Sequence, residues 1–269
     1  MKPSVISKIK YYLRVWVATF KLSLSKAAAF RVEVIVRFLR GVMLVAIQII
    51  FIKAVIGNSG NISGWSEQEM YLLSGIFNMI NYISWAFFAI NQWRIEEKIL
   101  KGEFDSILLK PLSSIYAASF PDFFIDEAIT AVAGVFLVAY YIILNIGTIS
   151  ILNIFFGIIA AFCGILIWFS LELIFASFDF IQIKNGLREL KKNLSSVGRF
   201  PIEIWNPTAQ LVFFTLFPIA FVSAVPAGII TGLFDWKYLI YSIIITAIFL
   251  YIARKFWYFA ISRYTSNGG

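Results

Sequence analysis

Residues 150–178 read SILNIFFGIIAAFCGILIWFSLELIFASF, a run in which Glu172 is the single charged side chain. A helix needs about 20 mainly apolar residues to cross a bilayer, and hydrocarbon forces the backbone to satisfy its own hydrogen bonds. This stretch exceeds that length, so it reads as a helix in lipid. Working outward, similar runs lie near 34–56, 69–91, 121–145, 207–230 and 238–261. The fold class expected is therefore an all-α integral membrane protein with six transmembrane helices, one domain over 1–269. The third run opens with Asp122, Asp126 and Glu127, so its lipid part is 128–144. Arg37 and Arg40, early in the first, have stems long enough to snorkel to the headgroups.

The composition agrees. Of 269 residues, 60% are hydrophobic, 18% aromatic and 14% charged, whereas a soluble domain is roughly 45–50% apolar and about 25% charged. That excludes a soluble enzyme and the disordered, fibrous and disulfide-stapled classes. With no histidine there is no imidazole base. Cys163 is the only cysteine and sits in an apolar run, which leaves no disulfide, redox pair or thiolate metal cage. The net charge of +8 points to an anionic membrane surface and not to nucleic acid.

Charge placement gives the topology. Among 23 lysines and arginines, all but Lys53 and Lys237 fall before the first span and in its opening turns, between spans two and three, between four and five, or in the last turns of six and after it. The positive-inside rule then puts both termini in the cytoplasm. The external connections are short, near 57–66, 146–148 and 232–236.

The first thirty residues do not read as a signal peptide, since lysines interrupt their apolar positions. Ile6, Ile9, Leu13, Trp16, Phe20 and Leu24 share one helical stripe, while Lys10, Arg14 and Lys21 fall on another face, with Lys8 an outlier. This is a basic amphipathic helix in the inner interface, over 1–30, serving as an anchor or as a docking surface.

The loop 94–112 reads RIEEKILKGEFDSILLKPL. Residues 94–101 extend span two as a charged helix, and Gly102 suits the left-handed position past its end. Asp105 is expected to cap a second short helix, which Pro111 stops. Its apolar Ile107, Leu108 and Leu109 need cover, as in a knob made to seat in another protein. Between spans four and five, 181–194 is basic and helix-compatible. Residues 198–205 turn the chain back into the membrane, with Pro201 and Pro207 marking the return. The plain reading is a basic cytoplasmic loop.

Inside the membrane, Glu172 is costly and needs a partner or water, as a structural hydrogen-bonding group or as part of a path. Ser74, Asn78, Asn81 and Trp85 share a face of span two that can line a path or join helices. In the fifth run, Pro218, Pro226 and Gly228 predict a broken element near the outer face. Residues 194–198 faintly resemble an ABC signature loop, but no Walker A sequence exists. Asn61-Ile62-Ser63 is a formal glycosylation sequon, and Asp122, Asp126 and Glu127 lack the glycine and arginine partners of a metal-dependent lipid transferase.

In order, these parts resemble the ABC-2-type transporter permeases, in the small six-span branch without a large external domain. The patterns carrying the resemblance are Gly64-Trp65-Ser66 with Glu67 and Gln68, the stretch 102–112, and Phe217-Pro-Ile-Ala-Phe221 with Val225-Pro-Ala-Gly228. The resemblance implies a permease in a bacterial cytoplasmic membrane, paired with a second copy or a paralogue and seated on two cytoplasmic ABC ATPase subunits. Loop 94–112 would be the coupling helix, through Glu96, Glu97, Gly102, Asp105 and Pro111. The N-terminal helix would be the interface helix, through Lys10, Arg14 and Lys21. The implied cargo is an amphipathic or hydrophobic drug, lipid, glycan or peptide, exported along a path lined by spans one, two and five. ATP and Mg would belong to the partner, with no cofactor in this chain. The rival readings are an ion-coupled secondary transporter and a non-transporting scaffold or insertase.

Overall fold

The structure is a computed structural model that describes residues 5–182 and 186–265. The charges assigned to Lys2 and Lys184 lie outside the described residues, as do the side chains of Ile6, Lys8, Ile9 and Arg188. In chain order the helices are α1 (Val5–Ala29), α2 (Arg31–Ser59), α3 (Glu67–Ser84), α4 (Ile90–Trp93), α5 (Ile95–Leu100), α6 (Phe104–Leu108) and α7 (Ser114–Ser119). There follow α8 (Ile125–Leu144), α9 (Ile151–Phe178), α10 (Leu187–Val197), α11 (Pro207–Thr215), α12 (Ala224–Thr231) and α13 (Lys237–Ile261). A π turn, Trp85–Ala89, joins α3 to α4 without interrupting the rod. Among the described residues there is no strand beyond one isolated bridge, Ile62 to Trp65.

Five helical stretches are long and apolar enough to cross a membrane: Arg31–Gly57, Glu67–Leu100, Ile125–Leu144, Ile151–Phe178 and Lys237–Ile261. They match five of the six expected runs. The remaining run, the fifth at 207–230, carries the expected break: it is not one helix but α11, a short 3₁₀ turn (Ile219–Phe221) and α12. Hydropathy alone sees only the composition of that run, and its prolines mark the break. Pro218 has no N–H to continue α11 and turns the chain. Pro226 does not break a helix but sits in the first turn of α12, where a missing N–H breaks no intrahelical bond. Gly228 is required by space, since a Cβ there would lie 2.5 Å from the Phe234 ring.

Helices α9 and α13 run antiparallel. Near the middle, Thr246 Oγ1 donates to the Cys163 carbonyl (3.4 Å), and Phe178 and Phe256 meet at 4.7 Å toward one end. At the other end Ile230, just before α13, covers Gly157. The chain leaving α9 at Asp179 must therefore travel back along that helix before α13 begins, and it does so in pieces. Helix α10 climbs beside α9 with buried Lys191 ion-paired to buried Glu172. Gly198 lies against Phe77, well along α3, and Glu203 reaches Trp65 Nε1 (3.1 Å) at the far end of the bundle. A basic loop outside the bundle was the expectation for 181–205. Instead Lys191 and Arg199 lie along the bundle, because Glu172 has a partner there that the sequence order does not show.

Close approaches are made where glycine removes the side chain. A Cβ on Gly134 would stand 2.7 Å from the Gly75 carbonyl, so α3 and α8 cross backbone to backbone. Gly164 does the same for the turn at Phe221, with 2.7 Å to its carbonyl. Helix α2 is held differently: only 17% of its apolar window is buried. Its fixed points are Gly41 on Thr130, Arg37 with its carboxylates and, toward its end, Ile52 and Ile56 in the core. Arg37 reaches Asp126 (2.8 Å) and Glu127 (3.1 Å), and the half-exposed Arg40 approaches Glu127 (3.6 Å).

Two stability outcomes follow, both read by thermal unfolding of the detergent-purified chain. Gly134→Val should cost about 1–3 kcal/mol or more through overpacking, whereas Gly57→Ala, with open space around it, should not destabilise. Lys191→Met strands a buried carboxylate and should cost about 3–5 kcal/mol, most of it recovered in the Glu172→Leu/Lys191→Met double variant. An unchanged melting temperature for Lys191→Met would overturn the role given to the pair.

Candidate functional site

The polar face of α3 meets α2 at a cavity. A glutamine in an apolar helix must find partners, and Gln48 on α2 finds two: its amide donates to Ser74 Oγ (3.1 Å) and its carbonyl accepts from Asn78 Nδ2 (2.9 Å). Beside this relay opens a cavity of about 270 Å³, walled by Leu44, Ile47, Phe51 and Phe200, with Tyr82 and Arg199 at its polar side. The Arg199 guanidinium stands over the Phe77 ring at 5.7 Å, and Phe200 meets Phe51 at 6.1 Å. Ser223 holds this turn by donating its hydroxyl to the Gly198 carbonyl.

Of the expected path residues, the structure brings Ser74 and Asn78 to this cavity, while Asn81 and Trp85 lie outside its lining. Trp85 opens the π turn and packs on Trp93 at 6.3 Å. Glu172 is elsewhere, paired with Lys191, whose ammonium also sits 4.5 Å over the Trp93 ring. Gln48, Arg199 and Phe200 were missed. Gln48 was findable as the one strongly polar residue between Gly41 and Ile52. Arg199 was not, because its place depends on the climb of α10.

The loop 94–112 is not a free knob. Ile95, Ile99, Phe104 and Ile107 are buried against Ala117, Leu173, Phe180 and Trp257, so its inner half is fused to the ends of α9 and α13. Phe104 meets Phe180 at 4.7 Å, edge to face. Gly102 takes φ +70°, the left-handed value just past α5. Asp105 is not the N-cap expected of it: Glu103 precedes α6, and no side chain caps it. The Asp105 carboxylate stands beside Tyr264 instead, and burial first and this carboxylate second push the Tyr264 hydroxyl up. Glu96 is buried, and Glu97 accepts from Lys101 (2.7 Å), an exposed bond that holds the Lys101 ammonium up. Of the apolar cluster Ile107–Leu109, only Ile107 is covered within this chain. Leu108 is 39% and Leu109 86% exposed, with Pro111 exposed beside them.

Helix α1 lies against this same end. Tyr12 accepts at its hydroxyl from the Ser113 amide (3.0 Å), and its carbonyl accepts from Tyr116 Oη (3.1 Å). Phe20 meets Phe123 at 5.1 Å, Trp16 stacks toward Phe87 at 6.2 Å, and Ser23 Oγ accepts from the Phe123 amide (3.4 Å). The packed face is thus Tyr12, Trp16, Phe20 and Ser23. Leu13 and Leu24, expected on that stripe, are exposed, as are Lys10, Arg14 and Lys21. Asn91 and Gln92 at the end of α4 bind Ser119 and Asp122 from inside (2.7–3.1 Å), fixing the start of the third span. Asp122 pairs with Lys26 (3.7 Å). Together with Arg37 on Asp126 and Glu127, this commits that acidic group to cations, and among the described residues no acidic cluster is placed to hold a metal.

Among the described residues the arrangement joins a polar-lined cavity to a packed end of the bundle. A family model described as ABC-2 family transporter protein matches residues 42–268. Neither a curated protein nor a solved structure matches the chain. The chain is a multi-pass membrane protein that belongs to the ABC-2 family of transporters, whose permeases are non-catalytic transport subunits that generally work with ABC ATPase partners.

Proposed function

We propose that this chain is the permease subunit of an ATP-driven exporter of an amphipathic or hydrophobic cargo. The carrying observation is the loop 94–112, which presents Leu108, Leu109 and Pro111 to the outside while its buried half is continuous with the ends of α9 and α13. A push on the exposed tip is a push on two long helices, because close-packed side chains transmit displacement and do not absorb it. ATP and Mg act on two partner ATPase subunits, and a second permease, of like or unlike sequence, completes the path. The basic N-terminal helix, through Lys10, Arg14 and Lys21, and the loop residues Glu96, Glu97, Gly102 and Asp105 form the docking end.

In this reading both termini are cytoplasmic in a bacterial plasma membrane, with the fifth passage made by α10 to α12. The path lies between α2, α3 and the turn at Arg199, and ATP-driven rigid shifts of the paired permeases open it outward. Glu172 has its charge met by Lys191, which weighs against a coupling ion at that carboxylate.

Because Ile107 is buried, its truncation would confuse docking with stability, and the exposed tip gives the cleaner test. Leu109→Asp should leave thermal stability unchanged and lower co-purification of the tagged permease with its ATPase by about tenfold or more, as expected for loss of an apolar anchor. Undiminished recovery of the ATPase would overturn the coupling assignment.

A further inference from the structure

Arg199 is the residue that the proposed function leaves unexplained. It stands well along α3, beside Phe77, as an exposed residue at the mouth of the cavity that Gln48, Ser74 and Asn78 line. A guanidinium at such depth needs an anion or water. The carboxylates placed along the bundle are already engaged: Glu172 by Lys191, Glu127 by Arg37 and Arg40, and Glu203 by the Trp65 indole. Among the described residues Arg199 pairs with no carboxylate, and the groups facing it across the cavity are neutral amides and hydroxyls. The cavity therefore has positive sign at one side and an apolar wall of Leu44, Ile47 and Phe51 at the other.

Resting on the reading of this cavity as the cargo path, we propose that it takes an anionic amphipath, whose headgroup oxyanion is received by Arg199 and whose chain lies on the apolar wall. The planar fork of arginine matches two oxygens of one phosphate or carboxylate, and an ammonium would not give the same two-point contact. The relay of Gln48 with Ser74 and Asn78 adds neutral hydrogen-bonding groups that tolerate varied headgroups. Phe51 and Phe200, in contact at 6.1 Å, flank the place where headgroup gives way to chain.

The test uses the full-length chain in phosphatidylcholine nanodiscs without any ATPase. Two fluorescent lysolipids carry the same acyl chain, one with a phosphatidic acid headgroup and one with phosphatidylcholine. The wild-type chain should bind the anionic probe about tenfold more tightly, the scale of one charge-assisted arginine contact. Arg199→Gln should abolish the preference, and Arg199→Lys should keep part of it. Arg263→Gln, at the exposed residue over Phe259, should leave it intact. Equal binding of the two probes by the wild-type chain would overturn the proposal without recourse to any variant. So would a preference that survives Arg199→Gln, or displacement of the probe by an equal concentration of inorganic phosphate. Loss of the preference together with a dimer-to-monomer shift in Arg199→Gln would also overturn it, since Arg199 would then hold a second copy. Failure here leaves the Leu109 recovery experiment untouched, so this assignment and the exporter reading fail separately.

Discussion

A carboxylate in a membrane helix has no water to solvate it, and the pairing of Glu172 with Lys191 is how this chain meets that constraint. The pair draws a basic, amphipathic segment off the end of the bundle and lays it along α9. Once α10 is there, Gly198 comes against Phe77, Ser223 fixes it through its carbonyl, and Glu203 arrives at Trp65. The return of the chain is therefore built from short helices and turns held by polar contacts, beside four neighbours that are continuous rods.

The same end of the bundle binds three otherwise separate parts. Asn91 and Gln92 hold the chain between α7 and α8, Tyr12 ties α1 to Ser113 and Tyr116, and Phe104 locks the loop after α5 onto Phe180 and Trp257. Each contact is modest, yet they share residues and neighbours, so displacing one element strains the others. Among the side chains left exposed are a short apolar tip and the basic face of α1, the surface that the proposed function gives to a partner.

Much of this was legible in the amino-acid order because length and hydropathy alone define a helix that lipid will accept. Five runs, the left-handed Gly102 and the turning role of Pro218 follow from local chemistry. The failures are of one physical kind. A window of hydropathy cannot tell a straight helix from a folded-back pair, so 207–230 counted as a full span although its prolines marked a break. Lysines and arginines count as solvated unless a partner is known, so Lys191 and Arg199 were left in a cytoplasmic loop when a buried carboxylate awaited one and a cavity the other. Other signals were present and unused: Ser66 with Glu69 forms a capping box at the start of α3, and lone Gln48 marked the cavity.

Helix α2 is fastened near one end by Arg37 and Gly41, at mid-length by Gln48, and toward its other end by Ile52 and Ile56, which are buried in the main core. Ile52 also lines the cavity, so one side chain belongs both to the core and to the cavity wall. Close-packed side chains transmit displacement. A change in the width of the cavity on this side therefore has to be shared with the packing of α3 behind it, and the wall formed by α2 is as firm as the core it leans on.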